Sequence, residues 1–184
     1  MATTLIVPGL RGSGPTHWQS WFEARIPGST RVVQEDWERT CLSDWAARVR
    51  DRIDEAAEPV WIVAHSFGCL ASVTAAVTRP RKVLGAFLVA PADPDRFNEP
   101  HVLLEEPLPC PGLVVASTND PWVKYSVAER MAQQWGSDFL NIGPQGHVNV
   151  DSGHGPWPEG LHLFEQWRGT QTAERHLEHF EISI

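Results

Sequence analysis

Six short apolar runs punctuate the chain: Thr3–Val7, Arg31–Gln34, Val60–Ala64, Gly85–Ala90, Gly112–Ser117 and Asp138–Ile142. Each has the length of a β-strand. Several are apolar throughout instead of alternating, the pattern of strands covered on both faces. Helical patterning fills the intervals, over Thr16–Arg25, Leu42–Ala57, Phe67–Thr78, Val127–Trp135 and Glu159–Arg168. Ser43 is placed to cap the second helix, with Asp44 in its first turn. Strand and helix alternate along the whole chain, which predicts an α/β fold: a three-layer, doubly wound parallel sheet of about six strands. Right-handed crossovers then put helices on both faces and the functional loops at the C-terminal ends of the strands.

Two segments break the alternation. Pro91 to Pro111 is the longest irregular stretch and is rich in proline and acid (Asp93, Asp95, Glu99, Glu105, Glu106). A loop of that length in a small domain has a function or lacks order, and this one reads as a lid or pocket wall. The tail from Gly169 to Ile184 is weakly amphipathic and is expected to pack loosely or to mediate association.

Composition narrows the function classes. With 184 residues, 42% apolar and 21% charged, the chain has the makeup of one globular domain spanning residues 1–184. A net charge of −8 and the lack of any Lys/Arg-rich block argue against a nucleic-acid partner. No apolar run nears the roughly 20 residues that span a bilayer, and Met1–Gly9 lacks the basic start of a signal peptide. Cys41, Cys69 and Cys110 show no C-x-x-C spacing, which points to a reduced, cytoplasmic chain. A small-molecule substrate and a monomer or homodimer are therefore expected. The nine tryptophans are scattered, as anchors at element ends would be.

The chemistry concentrates in Ala64-His65-Ser66-Phe67-Gly68. The apolar run before it and the small-residue helix after it read as strand, sharp turn, helix, with a serine at the turn. The pattern is G-x-S-x-G with alanine in the first position, and it lifts a nucleophile above the sheet edge. A serine capping an ordinary βα turn is the plainer alternative. A serine nucleophile needs a base and an acid, supplied in the order Ser, Asp/Glu, His on later strand-end loops. Asp120 follows the strand Gly112–Ser117 and is pinned by Pro121. His147 follows Asp138–Ile142 through Gly143-Pro144-Gln145-Gly146. His154 competes for the base but lies farther from its strand end. His147, Asp151 and His154 also form a loose set of metal-type ligands, without H-E-x-x-H spacing or nearby thiols, so no metal is expected. The backbone N–H groups of Phe67 and Leu10 are the candidate oxyanion donors, Gly9 allowing close approach. Phe97, Trp122 and Val148, with Phe67, are the candidate apolar wall for substrate. The glycine-rich loop Gly9–Gly14 lacks the lysine of a phosphate-binding loop.

Together these motifs resemble one family. Val7-Pro8-Gly9-Leu10, Gly12-Ser13-Gly14-Pro15, His17-Trp18, Ala64–Gly68, Ser117…Asn119-Asp120-Pro121, Gly146-His147-Val148-Asn149 and Ser152-Gly153 are similar to the small serine hydrolases related to retinoblastoma-binding protein 9. The resemblance covers residues 3 to about 165. It implies a compact α/β-hydrolase fold, a Ser66–Asp120–His147 triad, and neither metal nor organic cofactor. It does not imply retinoblastoma-protein binding, since the chain has no L-x-C-x-E motif. The expected activity is cleavage of a small or medium ester or amide through an acyl-enzyme on Ser66. A catalytically weak binding protein on the same scaffold, and a transferase or C–C hydrolase using the same triad, are the rival readings.

Overall fold

A computed structural model describes residues 2–99 and 104–181. Six strands, β1 (Thr4–Val7), β2 (Ser29–Arg31), β3 (Val60–His65), β4 (Val83–Val89), β5 (Gly112–Ala116) and β6 (Asp138–Asn141), form one sheet in the order β2-β1-β3-β4-β5-β6. Every neighbouring pair is parallel. The helices are α1 (Trp18–Glu23), α2 (Leu42–Glu55), α3 (Phe67–Val77), α4 (Tyr125–Gln134) and α5 (Pro158–Glu181). This is the three-layer, doubly wound α/β fold expected from the alternation.

Strand alternation sorts the core into two halves. Val60, Ile62 and Ala64 of β3 join α2, α3 and α4 through Trp45, Val49, Leu70, Val73 and Met131. Trp61 and Val63 face the other way, onto Trp18 and Phe22 of α1 and Phe164 and Trp167 of α5. Strands buried on both faces need apolar residues at every position, which is why the runs are continuous.

The chain leaves β1 toward the β2 edge and returns through β3 toward β4. The sheet's direction of growth therefore reverses between β1 and β3. In such sheets the crevice at the strands' C-terminal ends lies at this reversal. Val7 pairs with Ala64 there, one residue before Pro8-Gly9 and two before Ser66.

Two local expectations are corrected, and two longer segments gain detail. The second strand is Ser29–Arg31, not Arg31–Gln34: Val32 is buried and still donates to the Ile6 carbonyl, but Val33 turns out to solvent. Cys41, not Ser43, stands before α2, and the Leu42 N–H is accepted by Glu99 Oε1 from the loop after β4. The segment after Arg168 is the second half of α5, which runs on to Glu181 with most of its described residues exposed. The helix continues through Gly169, Thr170 and Thr172 despite their weak propensity, and Arg175 donates to the Leu84 carbonyl, tying the extension to β4. The long acidic stretch contains a 3-10 turn over Pro94–Phe97, and its later part is pinned where Trp135 Nε1 donates to the Leu104 carbonyl at 2.9 Å. Part of the proposed lid, residues 100–103, lies outside the described residues.

Candidate active site

Ser66 sits between β3 and α3 with φ +53° and ψ −124°. An L-residue reaches that conformation only under constraint. The constraint is on both sides of it: Ser66 N–H donates to the Val89 carbonyl, and its own carbonyl accepts from Cys69 and Ala92. The turn also needs room. A Cβ on Gly68 would stand 2.4 Å from the Pro8 carbonyl oxygen and 2.5 Å from that of Val7. A Cβ on Gly9 would stand 2.7 Å from Ser66 Cβ. Gly68 and Gly9 are thus the two positions at which the β1 loop and the elbow touch. Ala64, in place of the first glycine, is fully buried in the strand and is accommodated without departure from the β3 register.

The other two members arrive from β5 and β6. Ser66 Oγ and His147 Nε2 are 2.9 Å apart, and His147 Nδ1 lies 2.8 Å from Asp120 Oδ2. The carboxylate only accepts, so Nδ1 carries the proton and Nε2 is left to accept from the serine hydroxyl. Asp120 does two jobs. Its Oδ1 accepts from the N–H groups of Trp122 and Val123, fixing the turn at Pro121, while Oδ2 faces the imidazole. The turn-forming reading of this aspartate holds at Oδ1, and Oδ2 stands where the acid reading needs an oxygen. The Asp120 side chain is 1% exposed, so its charge is shielded from water.

The serine hydrolase family profile matches residues 4–166. The chain belongs to the serine hydrolase family. A YdeN-like hydrolase from Pectobacterium atrosepticum is 36% identical, with a TM-score of 0.87 over 93% of this chain and 92% of that one. The ydeN product of Bacillus subtilis is 22% identical, with a TM-score of 0.76 over 91% of this chain and 98% of that one. An α/β-hydrolase from a lagoon-sediment metagenome, 16% identical, shares the fold with a TM-score of 0.71 over 93% and 92% of the two chains. No curated protein matches the chain.

In this serine hydrolase the candidate oxyanion donors flank Ser66. Phe67 opens α3, so its N–H has no carbonyl a turn earlier to bond. Leu10 follows Gly9 on the other side, in a short 3-10 turn over Leu10–Gly12. The anticipated apolar wall is only partly assembled. Trp122 is 56% exposed with its ring 6.3 Å from that of His147, and Phe97 is half-buried against Phe67 at 4.9 Å. Val148 does not line the site. Its φ of +48° turns it into the core beside Trp18 and Trp157, and its carbonyl accepts from Trp18 Nε1.

His154, the competing base, is engaged by Ser152 and Trp157. Its Nδ1 contacts Ser152 Oγ at 3.2 Å and its ring meets Trp157 edge-on. Among the described residues no three His, Cys, Asp or Glu side chains group closely enough to hold a metal ion.

Two histidines without a role in the sequence pattern belong to the site. His65 Nε2 donates to the His147 carbonyl at 2.9 Å, and its ring lies 4.9 Å from the rings of both His147 and His17. Burial drives the pKa of His65 well below the usual histidine value. Burial, then the nearby Arg31 charge, lowers that of His17 to about 3. Both are neutral at pH 7. The signal for His65 was present: strand alternation puts it on the face of Trp61 and Val63, toward α1. Nothing in the sequence pairs it with a residue 82 positions later.

Proposed function

We propose that the chain is an acyl hydrolase of the subgroup resembling retinoblastoma-binding protein 9, cleaving small or medium esters or amides. The observation that carries this is the Asp120–His147–Ser66 relay ending on a strained serine. Ser66 Oγ attacks the substrate carbonyl carbon, and its proton passes to His147 Nε2. Asp120 holds the ring and stabilises the imidazolium that forms. The tetrahedral oxyanion is met by the N–H groups of Phe67 and Leu10, with the positive end of α3 behind them. Collapse breaks the bond to the leaving alkoxide or amine, which takes the proton from His147. Water then repeats the cycle: His147 removes its proton, its oxygen bonds to the acyl carbon, and Ser66 Oγ leaves reprotonated.

Trp122 and Leu10, both exposed at the mouth of the site, support an apolar acyl or leaving group. Cysteines free at positions 41, 69 and 110 support a reducing, cytoplasmic setting. The test is labelling by a fluorophosphonate, which phosphonylates an activated serine. Wild type is expected to label once, at Ser66, and to turn over 4-nitrophenyl esters. Labelling that persists in Ser66→Ala would overturn the assignment. Absence of both labelling and turnover in wild type would favour a binding role for the scaffold.

A further inference from the structure

The loop after β1 is held under strain. Arg11, Gly12 and Ser13 have φ of +67°, +79° and +46°, three left-handed residues in succession. Only glycine enters that region freely, so two of the three carry a conformational cost. Such a segment keeps its shape only where its surroundings over-determine it.

The surroundings converge on Arg31, the last residue of β2. Its Nη1 donates to the carbonyls of Gly12 at 2.9 Å and Ser13 at 2.8 Å. Its Nη2 donates to Ser20 Oγ at 2.8 Å, and Nε to Glu23 Oε2 at 2.8 Å. The side chain is 19% exposed, so these bonds face little competition from water. Ser20 Oγ is in turn within hydrogen-bonding distance of the Ser13 and Gly14 carbonyls. Ser13 Oγ donates to Gln19 Oε1 at 2.6 Å, and Gln19 Nε2 donates to the carbonyls of Val7 and Val63. The loop is thereby tied to the ends of the two strands that carry Gly9 and Ser66. Gly12 N–H donates back to the Gly9 carbonyl at 3.0 Å, so fixing Gly12 fixes the Leu10 peptide.

We propose that Arg31 is a positioning residue for the oxyanion site: its guanidinium holds the Gly12 and Ser13 carbonyls and so sets the Leu10 N–H against Ser66. The planar fork is needed, because one side chain must meet two carbonyls, a hydroxyl and a carboxylate at once. The proposal rests on the acyl-hydrolase reading, in which a substrate oxygen develops charge beside Leu10.

The experiment compares 4-nitrophenyl acetate with its thiono counterpart, in which C=S replaces C=O. Sulfur is larger and a poorer hydrogen-bond acceptor, so the oxo/thiono rate ratio reports on the oxyanion donors. In Arg31→Met the oxo ester is expected to lose about tenfold or more in kcat, with KM little changed and the oxo/thiono ratio lowered. Arg31→Lys, which keeps the charge opposite Glu23 and can reach one carbonyl, should fall between, and it serves if Arg31→Met does not fold. Glu23→Gln leaves both loop contacts and should hold the ratio near wild type. Equal loss on both esters, or no loss, would overturn the proposal. Amide hydrogen exchange across residues 9–14 gives a readout independent of turnover. It should accelerate in the Arg31 variants, and unchanged exchange overturns the proposal even if wild type cleaves neither ester. Inactive wild type with accelerated exchange would instead sink the acyl-hydrolase reading alone.

Discussion

Two loops reach Ser66 from opposite sides of the sheet edge, and they are anchored by different chemistry. The loop after β1 is gripped by a charged side chain, Arg31, paired with Glu23. The backbone of the loop carrying His147 is held, among the described residues, by neutral groups, and Asp120 meets that loop only at the imidazole. Ser117 Oγ accepts from Gln145 N–H at 2.8 Å, Asn119 Oδ1 accepts from Gly146 N–H at 2.7 Å, and His65 donates to the His147 carbonyl. The difference follows from what each loop does in the proposed reaction. The β1 loop presents fixed N–H dipoles to a developing anion, and a nearby cation does that no harm. The His147 loop carries a group that becomes cationic and must then lose its proton. A guanidinium against it would oppose the imidazolium that Asp120 has to stabilise. The neighbouring His65 and His17 fit the same demand, since both are held neutral by burial.

The largest effects should come from the group that moves the proton. His147→Ala is expected to lower the ester rate by about 10⁴-fold or more, whereas His154→Ala should stay within about threefold. Initial rates on 4-nitrophenyl acetate separate them. Comparable losses in both variants would mean that the two loops do not divide the work as described.

Next come the glycines at the two contacts. Gly68→Ala would drive a Cβ into two backbone carbonyls of the β1 loop, which cannot swing aside. Gly146→Ala, on the other loop, meets Ser152 Cβ at 2.6 Å but no backbone atom closer than Ser152 Cα at 3.9 Å, and its φ of +61° adds strain. The first should cost about 3 kcal/mol and the second about 1–2 kcal/mol in denaturant unfolding. The reverse order would show that the β1 loop yields more easily than its bonding implies.

A third effect is pH-dependent. His17 is neutral when folded, with its pKa lowered to about 3, and titrates near 6.5 when unfolded. Its contribution is therefore intact above pH 6.5 and is lost as pH falls, because only the unfolded chain takes up the proton. Between pH 7 and 5 one such histidine removes about 2 kcal/mol of stability. His17→Asn keeps the cap on the Gln19 N–H but does not titrate. It should flatten the stability–pH curve by about that amount, as urea titrations at the two pH values would read.

How much of this was legible in the sequence depends on how local its cause is. Ser66, Gly68 and the strand before them form one continuous stretch, and the constraints on them are set within a few residues. Asp120 and His147 were legible because a strand must precede each. Val148 was misplaced for want of one dihedral: adjacency to His147 suggests the site, but a positive φ sends the side chain to the core. Val32-Val33 reads as strand because both are apolar, yet pairing ends where Val33 meets water. The second half of α5 has few apolar positions to announce it and is tied to the sheet by Arg175 reaching Leu84, a contact across 91 positions. Arg31 likewise looks like an ordinary strand residue until the fold brings Gly12 and Ser13 under its fork.

The smallest effect tests the neutral side of the comparison most directly. Ser117 Oγ and Asn119 Oδ1 also bond each other at 2.9 Å, so the two side chains form one bracket around the backbone ahead of His147. Neither touches the proposed reacting atoms, and Asn119 is exposed, so water can take over part of its bonding. Asn119→Ala or Ser117→Ala should therefore lower kcat only about tenfold, with KM held, by letting the His147 ring drift from Ser66. Because the bracket acts as a unit, the double variant should lose little more than the worse single one. Ser117→Thr, which keeps the hydroxyl, should recover most of the rate. Additive losses would mean that each side chain holds the loop separately. A rise in KM without a fall in kcat would place the bracket at the substrate instead of behind the base.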